Sequence, residues 1–118
     1  MQKAEAFLIR IKPILATREC IFAQNEKNKN FDRQFNLRHD EKISILKSLT
    51  ASDCVKIGPN NNPRYCESEV YVFIKKITLA PYGNEEQELE LYIKAYINSE
   101  KWNEMVVVIS FHEEGMYP

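Results

Sequence analysis

ELELYIKAYI, residues 88–97, alternates apolar and polar side chains along its whole length. Successive side chains of a β-strand point to opposite faces, so a period of two indicates a strand that is buried on one side only. The stretch therefore predicts the half-buried strand around which a sheet forms. Its apolar face would carry Leu89, Leu91, Ile93, Ala95 and Ile97, and its other face Glu88, Glu90, Tyr92, Lys94 and Tyr96.

Two further strands are predicted on either side of this one, at residues 69–79 and 104–112. The connections near 81–84 and 98–99 are short, which indicates an antiparallel meander. The last strand is mostly β-branched before its polar end, as is typical of strands. Alternation would place Met105, Val107, Ile109 and Phe111 on one face of it, and Ser110 and His112 on the other.

The first half of the chain has helical periodicity instead. Residues 3–17 predict an amphipathic helix that Pro13 should kink or shorten. A short strand at 21–23, a helix that buries Phe31 and Phe35 and a helix capped by Asp40 follow. Asn28 or Asn30 would cap the helix that buries Phe31 and Phe35. Thr50 to Asp53 has capping-box spacing, which predicts one more helical turn ending near Lys56. Helices first and strands later indicate an α+β domain, with the helices packed on an antiparallel sheet of three or more strands.

Composition is that of one globular domain spanning residues 1–118, with 44% apolar and 28% charged residues. No apolar run is long enough for a transmembrane helix, and no signal peptide is recognisable at the N-terminus. The three cysteines, Cys20, Cys54 and Cys66, lack metal-ligand spacing and favour a reducing cytoplasm. No cofactor motif and no metal-ligand set is predicted.

The net charge of −1 conceals an uneven distribution. Residues 1–64 carry 12 Lys/Arg and 7 Asp/Glu, a net +5, whereas residues 65–118 carry 4 Lys/Arg and 10 Asp/Glu, a net −6. A basic half is compatible with phosphate binding, but two solvated faces that neutralise each other explain the pattern equally well. Without a global basic excess, tight non-specific binding to nucleic acid is not expected.

Pairing the last two strands core to core brings several polar side chains to one face. Tyr92, Lys94 and Tyr96 would lie beside Ser110 and His112, and either Lys75 or Lys76 should join them. Imidazole can act as acid or base near neutral pH, ammonium groups stabilise phosphate charge, and a phenol can stack on a base. The combination suits RNA cleavage without a metal, although such residues also occur on ordinary solvent-facing sheets.

The sequence resembles the MqsR-type toxins of bacterial type II toxin–antitoxin systems, within the RelE-like group of mRNA interferases. The resemblance rests on the order and spacing of four segments and spans most of the chain from Phe7 onward. They are LTASDCVK at 49–56, Gly58-Pro59, Tyr-Ile-Lys at 92–94 and Ile-Ser-Phe-His-Glu at 109–113.

The resemblance implies a RelE-like α+β fold, cleavage of messenger RNA, and neutralisation by a cognate antitoxin protein. Lys56 and Tyr92 match functional residues of the family, and His112 stands where the best-known members have a basic lysine. The tyrosine that often precedes the first lysine is Val55 here, and a glutamine of some members has no match near residues 71–73.

We therefore expect a cytoplasmic, metal-independent endoribonuclease that needs no cofactor and acts on neither membranes nor, directly, DNA. The catalytic candidates are His112, Lys56 and Tyr92, and the RNA-binding candidates are Lys94, Lys75, Lys76 and Tyr96. The two departures and the acidic C-terminal half leave an alternative open, a non-catalytic relative that acts only by binding a protein.

Overall fold

The structure, a computed structural model, describes residues 2–17, 19–60, 68–80, 85–98 and 104–114. Cys66 and most of the loop predicted after Gly58 lie outside the described residues. In chain order the elements are α1 (Gln2–Ala16), β1 (Cys20–Phe22), α2 (Glu26–Phe35), α3 (His39–Lys47), a 3₁₀ turn (Ala51–Asp53), β2 (Cys54–Gly58), β3 (Val70–Leu79), β4 (Gln87–Asn98) and β5 (Met105–Glu113).

The strands form one five-stranded sheet in the order β1-β5-β4-β3-β2. All neighbours are antiparallel except β1, which pairs parallel with β5. The predicted α+β class and the meander of three long strands are confirmed. The long connection through α2, α3 and the meander makes the parallel pairing of β1 with β5 possible, since a parallel pair cannot be joined by a tight turn.

The helices cover one face of the sheet, hereafter the helix face; the opposite side is the open face. All five apolar side chains predicted for the buried face of β4 lie in the core, with exposed fractions of 0–6%. The N-terminal helix contributes Phe7, Leu8 and Ile11 to the same core. α1 continues through Pro13, so the helix is not shortened there. Both Pro13 and Ile9, whose carbonyl loses its helical donor, are on the exposed side of α1.

Two predicted helix caps are wrong, because a different residue caps each helix. Asn25 caps α2 by accepting a hydrogen bond from the Asn28 N–H at 3.0 Å, so neither Asn28 nor Asn30 is the cap. α3 begins after Arg38, whose N–H donates to the Glu41 carboxylate at 2.9 Å, and Asp40 falls within its first turn.

The capping-box turn at the end of the helical half is confirmed but ends earlier than predicted. The Thr50 N–H donates to Asp53 at 2.9 Å, and the turn stops at Asp53. The chain then enters β2, a strand that the sequence analysis missed. This strand has five residues and is interrupted by a bulge between Cys54 and Lys56, so it shows no clean alternation.

A β-bulge in β5 changes the predicted face assignment of that strand. Lys94 pairs with Ser110, but Ala95 pairs with Val108, so Ile109 is an extra residue. Val106 and Val108 are fully buried in the core together with Phe111, whereas Met105 and Val107 are only half-buried. Strict alternation predicted that Met105, Val107 and Ile109 lie on the core side with Phe111. This prediction is wrong for Met105 and Val107, because the extra residue of the bulge reverses the faces of the residues before it.

Asn28 holds this bulge in place from the neighbouring helix. Its side-chain amide donates to Ile109 O at 3.1 Å and to Ala23 O at 2.9 Å, and its Oδ1 accepts from the Phe111 N–H at 2.9 Å. β1 ends at Phe22, so these contacts replace the hydrogen bonds of an adjoining strand. Asn28 is 4% exposed and belongs to the structural support of β5.

Substituting Asn28→Ala should therefore destabilise the protein by about 2 kcal/mol, since Ala23 O and the Phe111 N–H lose their buried partner while Ile109 O keeps the Asn25 amide at 3.0 Å. Urea unfolding followed by circular dichroism measures this difference. Gln34→Ala on the same helix, at an exposed position, is the matched control and should change stability by less than ~0.5 kcal/mol. Equal stability of the two variants would show that the hydrogen bonds of Asn28 to the backbone of β5 do not stabilise the fold.

Candidate nucleic-acid interface

Tyr92 and His112 face each other directly across β4 and β5 on the open face. Their ring centroids are 5.5 Å apart and the planes differ by 23°, so the rings are stacked. Tyr92 is half-buried and His112 is 7% exposed. The predicted association of these two residues is therefore present, but His112 is a buried side chain rather than a surface histidine.

The orientation of the imidazole is set by a hydrogen bond to the backbone. His112 Nδ1 lies 3.0 Å from Glu113 O. A carbonyl oxygen only accepts, so the hydrogen lies on Nδ1, and in the neutral ring the lone pair belongs to Nε2. A side chain oriented in this way can take up a proton at Nε2.

The carbonyl that His112 binds lies at the outer edge of β5. The Glu114 N–H donates to Glu90 O of β4 at 2.7 Å, and successive residues of a strand direct their backbone groups to opposite sides. Glu113 therefore directs its carbonyl away from β4, beyond the reach of β1. His112 thus also satisfies an edge carbonyl, which is a structural task independent of any chemistry.

Lys94 lies in the next row of open-face residues, beside the stacked pair, and Lys56 lies in the same row on β2, two strands from Tyr92. Lys56 pairs with Val72, Val72 with Lys94, and Lys94 with Ser110, so four strands contribute to this row. Val72 is 6% exposed although it lies on the open face between the two lysines. Lysine stems cover apolar surface in this way while their ammonium groups stay in water.

The adjacent lysines of β3 point to opposite faces. Lys75 lies on the helix face, 3.7 Å from Asp53 and 3.5 Å from Ser48 O, so it is not part of the open face. Lys76 lies on the open face, directly opposite Glu90. Only the second of the two lysines named by sequence is therefore placed with Tyr92 and His112.

Tyr96 lies on the open face, but its position differs from the expectation. It is 5% exposed and pairs with Val107, two residues along β4 from Lys94. Its ring is therefore not an exposed platform for a base. Ile74, which the sequence analysis did not name, is half-buried directly beside Tyr92 and extends the apolar surface of that row. The sequence analysis could not identify Ile74 as a neighbour of Tyr92, because the sequence does not determine the register of β3 against β4.

Some lysines elsewhere are held in ion pairs, whereas Lys12, Lys29 and Lys47 form none with the described residues. On the other side of the sheet Lys3 is bound to Glu69 at 3.0 Å, and Lys42 to Asp32 at 2.8 Å. By contrast, Lys56, Lys76 and Lys94 form no ion pair with another residue of the described part of the chain. Lys56 and Lys94 give their end of the open face a positive charge, which is compatible with an anionic ligand, whereas Lys76 lies directly opposite Glu90.

A pocket of about 430 Å³ lies on the helix face, away from this group of residues. Phe7 of α1 stacks on Tyr71 at its floor, with ring centroids 4.0 Å apart. Burial raises the pKa of the Tyr71 phenol, and the nearby Glu69 carboxylate raises it further. None of the predicted site residues lines the pocket, so we do not assign the chemistry to it.

Two cysteines lie in the core rather than at a reactive surface. Burial raises the pKa of the Cys20 thiol to about 12, with a smaller opposing effect of the Lys42 ammonium. Burial also raises the pKa of Cys54. Both thiols are thus protonated near neutral pH and behave as small apolar groups.

Comparison with protein-family models, with curated proteins and with solved structures gives no match to this chain. The resemblance to MqsR-type toxins thus stays a prediction. Among the described residues, no group of three or more His, Cys, Asp or Glu side chains is arranged to hold a metal ion. No helix in the described ranges is long and apolar enough to cross a membrane.

Proposed function

We propose that the protein is a metal-independent endoribonuclease of the mRNA interferase type, with its active site on the open face. The observation that carries the proposal is the stacked Tyr92–His112 pair beside two lysines, Lys56 and Lys94, that lack a described carboxylate partner. This group combines a proton-transfer residue, an aromatic ring and fixed positive charge within two adjacent rows of one sheet.

The chemistry assigned to these residues is transesterification at phosphorus. His112 Nε2 takes the proton from a ribose 2′-hydroxyl, and the resulting oxygen attacks the adjacent phosphorus. Lys56 and Lys94 stabilise the additional negative charge on the phosphoryl oxygens. The bond to the 5′-oxygen then breaks, that oxygen takes a proton from the imidazolium, and the products are a 2′,3′-cyclic phosphate and a 5′-hydroxyl.

Tyr92 positions the RNA by stacking and holds the imidazole plane against its own ring. The substrate of the proposal is messenger RNA, cleavage of which inhibits translation in the cytoplasm. A cognate antitoxin protein would neutralise the enzyme. The support for these last points is the sequence resemblance stated above.

A non-catalytic role is the second candidate, and the burial of His112 favours it. His112 is 7% exposed and its Nδ1 lies 3.0 Å from Glu113 O, as expected of a side chain that hydrogen-bonds a backbone carbonyl at the edge of a strand. Under this alternative the lysines of the open face bind an acidic partner protein and no RNA is cut. The two candidates differ in whether purified protein cleaves RNA at all.

Chelation separates the proposed chemistry from metal-assisted cleavage. Purified protein incubated with a mixed-sequence RNA should cut it at the same rate with and without millimolar EDTA, because His112 and lysines supply every charge and proton transfer. Gel analysis with end-group mapping should show 2′,3′-cyclic phosphate termini. Activity that disappears with EDTA would contradict the mechanism, and an uncut RNA would favour the non-catalytic alternative.

The contribution of the lysines is measured by the salt dependence of RNA binding. Each phosphate neutralised on a single strand contributes about 0.7 to the slope of log K against log salt concentration. Lys94→Ala and Lys56→Ala should each reduce that slope by about 0.7. Lys75→Ala, the neighbouring lysine on the helix face, is the matched control and should leave the slope unchanged.

A further inference from the structure

The charge of the open face changes sign along β4, on the two sides of Tyr92. Lys94 lies on one side of it and Glu90 on the other, each two residues away on the same face. Residues two apart on a strand are separated by about 6.6–6.8 Å, close to the length of one nucleotide in an extended RNA. An RNA strand that follows β4 therefore meets a cation, an aromatic ring and a carboxylate in succession.

Glu90 is exposed and forms no ion pair with another residue of the described ranges, although Lys76 is its direct neighbour on β3. Glu88, two residues further, is exposed as well. A phosphate is repelled by these carboxylates and attracted by Lys56 and Lys94. Lys76 offsets only part of the charge of Glu88 and Glu90, so we expect the RNA segment beyond Tyr92 to present a base edge, not its backbone, to Glu90.

Building on the proposed ribonuclease function, we infer that Glu90 is a specificity residue that reads the base next to the one on Tyr92 and selects against uracil. An ionised carboxylate has only hydrogen-bond acceptors, so it favours a base with an exocyclic amine. Adenine, cytosine and guanine each carry such an amine. Uracil has one ring N–H between two carbonyl oxygens, and both of these repel a carboxylate. Lys76, opposite Glu90, can donate to an acceptor atom of the selected base.

Cytosine and uracil provide the sharpest comparison, because they differ chiefly in an amine against a carbonyl at one ring position. A carboxylate that binds the amine of cytosine and meets a carbonyl oxygen in uracil is expected to discriminate about tenfold. Glu90→Gln preserves size but offers both a donor and an acceptor, and so suits both bases. Glu88→Gln removes the same charge one row further and is the matched control.

The experiment first maps the cut in a mixed-sequence RNA, then compares kcat/KM for oligonucleotides that carry cytosine or uracil at each position flanking it. We expect one position where the wild-type protein prefers cytosine about tenfold, a preference that falls below ~2-fold in Glu90→Gln and persists in Glu88→Gln. If the preference for cytosine is unchanged in Glu90→Gln, or if no position shows such a preference, the inference about Glu90 is overturned. The proposed ribonuclease function is not affected by either result. RNA neither bound nor cut overturns the inference together with the proposed function.

Discussion

Replacing His112 with asparagine is expected to lower the rate of RNA cleavage by at least ~100-fold while the protein remains folded. The amide nitrogen of asparagine can occupy the place of Nδ1 and keep the hydrogen bond to Glu113 O. It cannot accept and return a proton as imidazole does at Nε2. The substitution therefore removes the chemistry and retains the contact at the strand edge.

Two comparisons make this result diagnostic. His112→Gln places its amide near Nε2 and loses the Glu113 contact, so it should be inactive and also less stable. His39→Asn changes the only other histidine, which packs edge-on against Phe22 on the helix face, and should leave cleavage unchanged. If His112→Asn cleaves RNA at the wild-type rate, His112 has no catalytic role and its function is structural.

The largest effect on stability is expected at Lys42, far from the open face. Its ammonium group is 2.8 Å from Asp32 Oδ2 and 4.4 Å from the ring centroid of Phe22, and its side chain is 8% exposed. Asp32 Oδ1 is buried without a hydrogen-bond partner. Removing the lysine therefore leaves a carboxylate in a poorly solvated site with no compensating charge.

Lys42→Ala should lower the free energy of unfolding by about 3 kcal/mol, the low end of the range for buried pairs that lose one partner, because the Asp32 side chain is 27% exposed. Urea unfolding gives the value, and the double variant with Asp32→Ala separates the effects. Because the cost arises from the isolated charge, the double variant should be less destabilised than the sum of the two single variants. A loss below ~1 kcal/mol in Lys42→Ala would show that Asp32 is solvated and that the pair contributes little.

The ion pair also connects this distant part of the fold to the candidate site. Asp32 and Asn28 both belong to α2, and Asn28 binds the backbone of β5 at Ile109 and Phe111, directly before His112. A variant that displaces α2 should therefore disturb His112 as well. We expect Lys42→Ala to reduce cleavage at least as far as it reduces the folded fraction.

Local sequence pattern was sufficient for the elements whose burial is periodic. The alternation of residues 88–97 predicted which side chains of β4 enter the core, and the helical spacing of Phe7, Leu8 and Ile11 predicted the buried side of α1. These patterns are reliable because the period of a strand or helix is a property of the backbone itself. The same alternation predicted that Tyr92, Lys94, Ser110 and His112 share a face.

What local pattern could not predict depended on contacts between distant residues. The bulge at Ile109 exists where Asn28, 81 residues away, binds the backbone of β5. Lys75 and Lys76 were indistinguishable until the register of β3 against β4 assigned one to each face. β2 is short and bulged, so it became recognisable only through its pairing with β3.

The sequence by itself determined the α+β class, the polar face of β4 and the residues that could do chemistry there. Only the tertiary structure decided that Lys76 and not Lys75 joins them, that Tyr96 is buried, and that His112 is held by a backbone carbonyl. The physical reason is that periodicity acts over a few neighbouring residues, whereas register, burial and hydrogen-bond partners are set by whichever distant segment packs against each position.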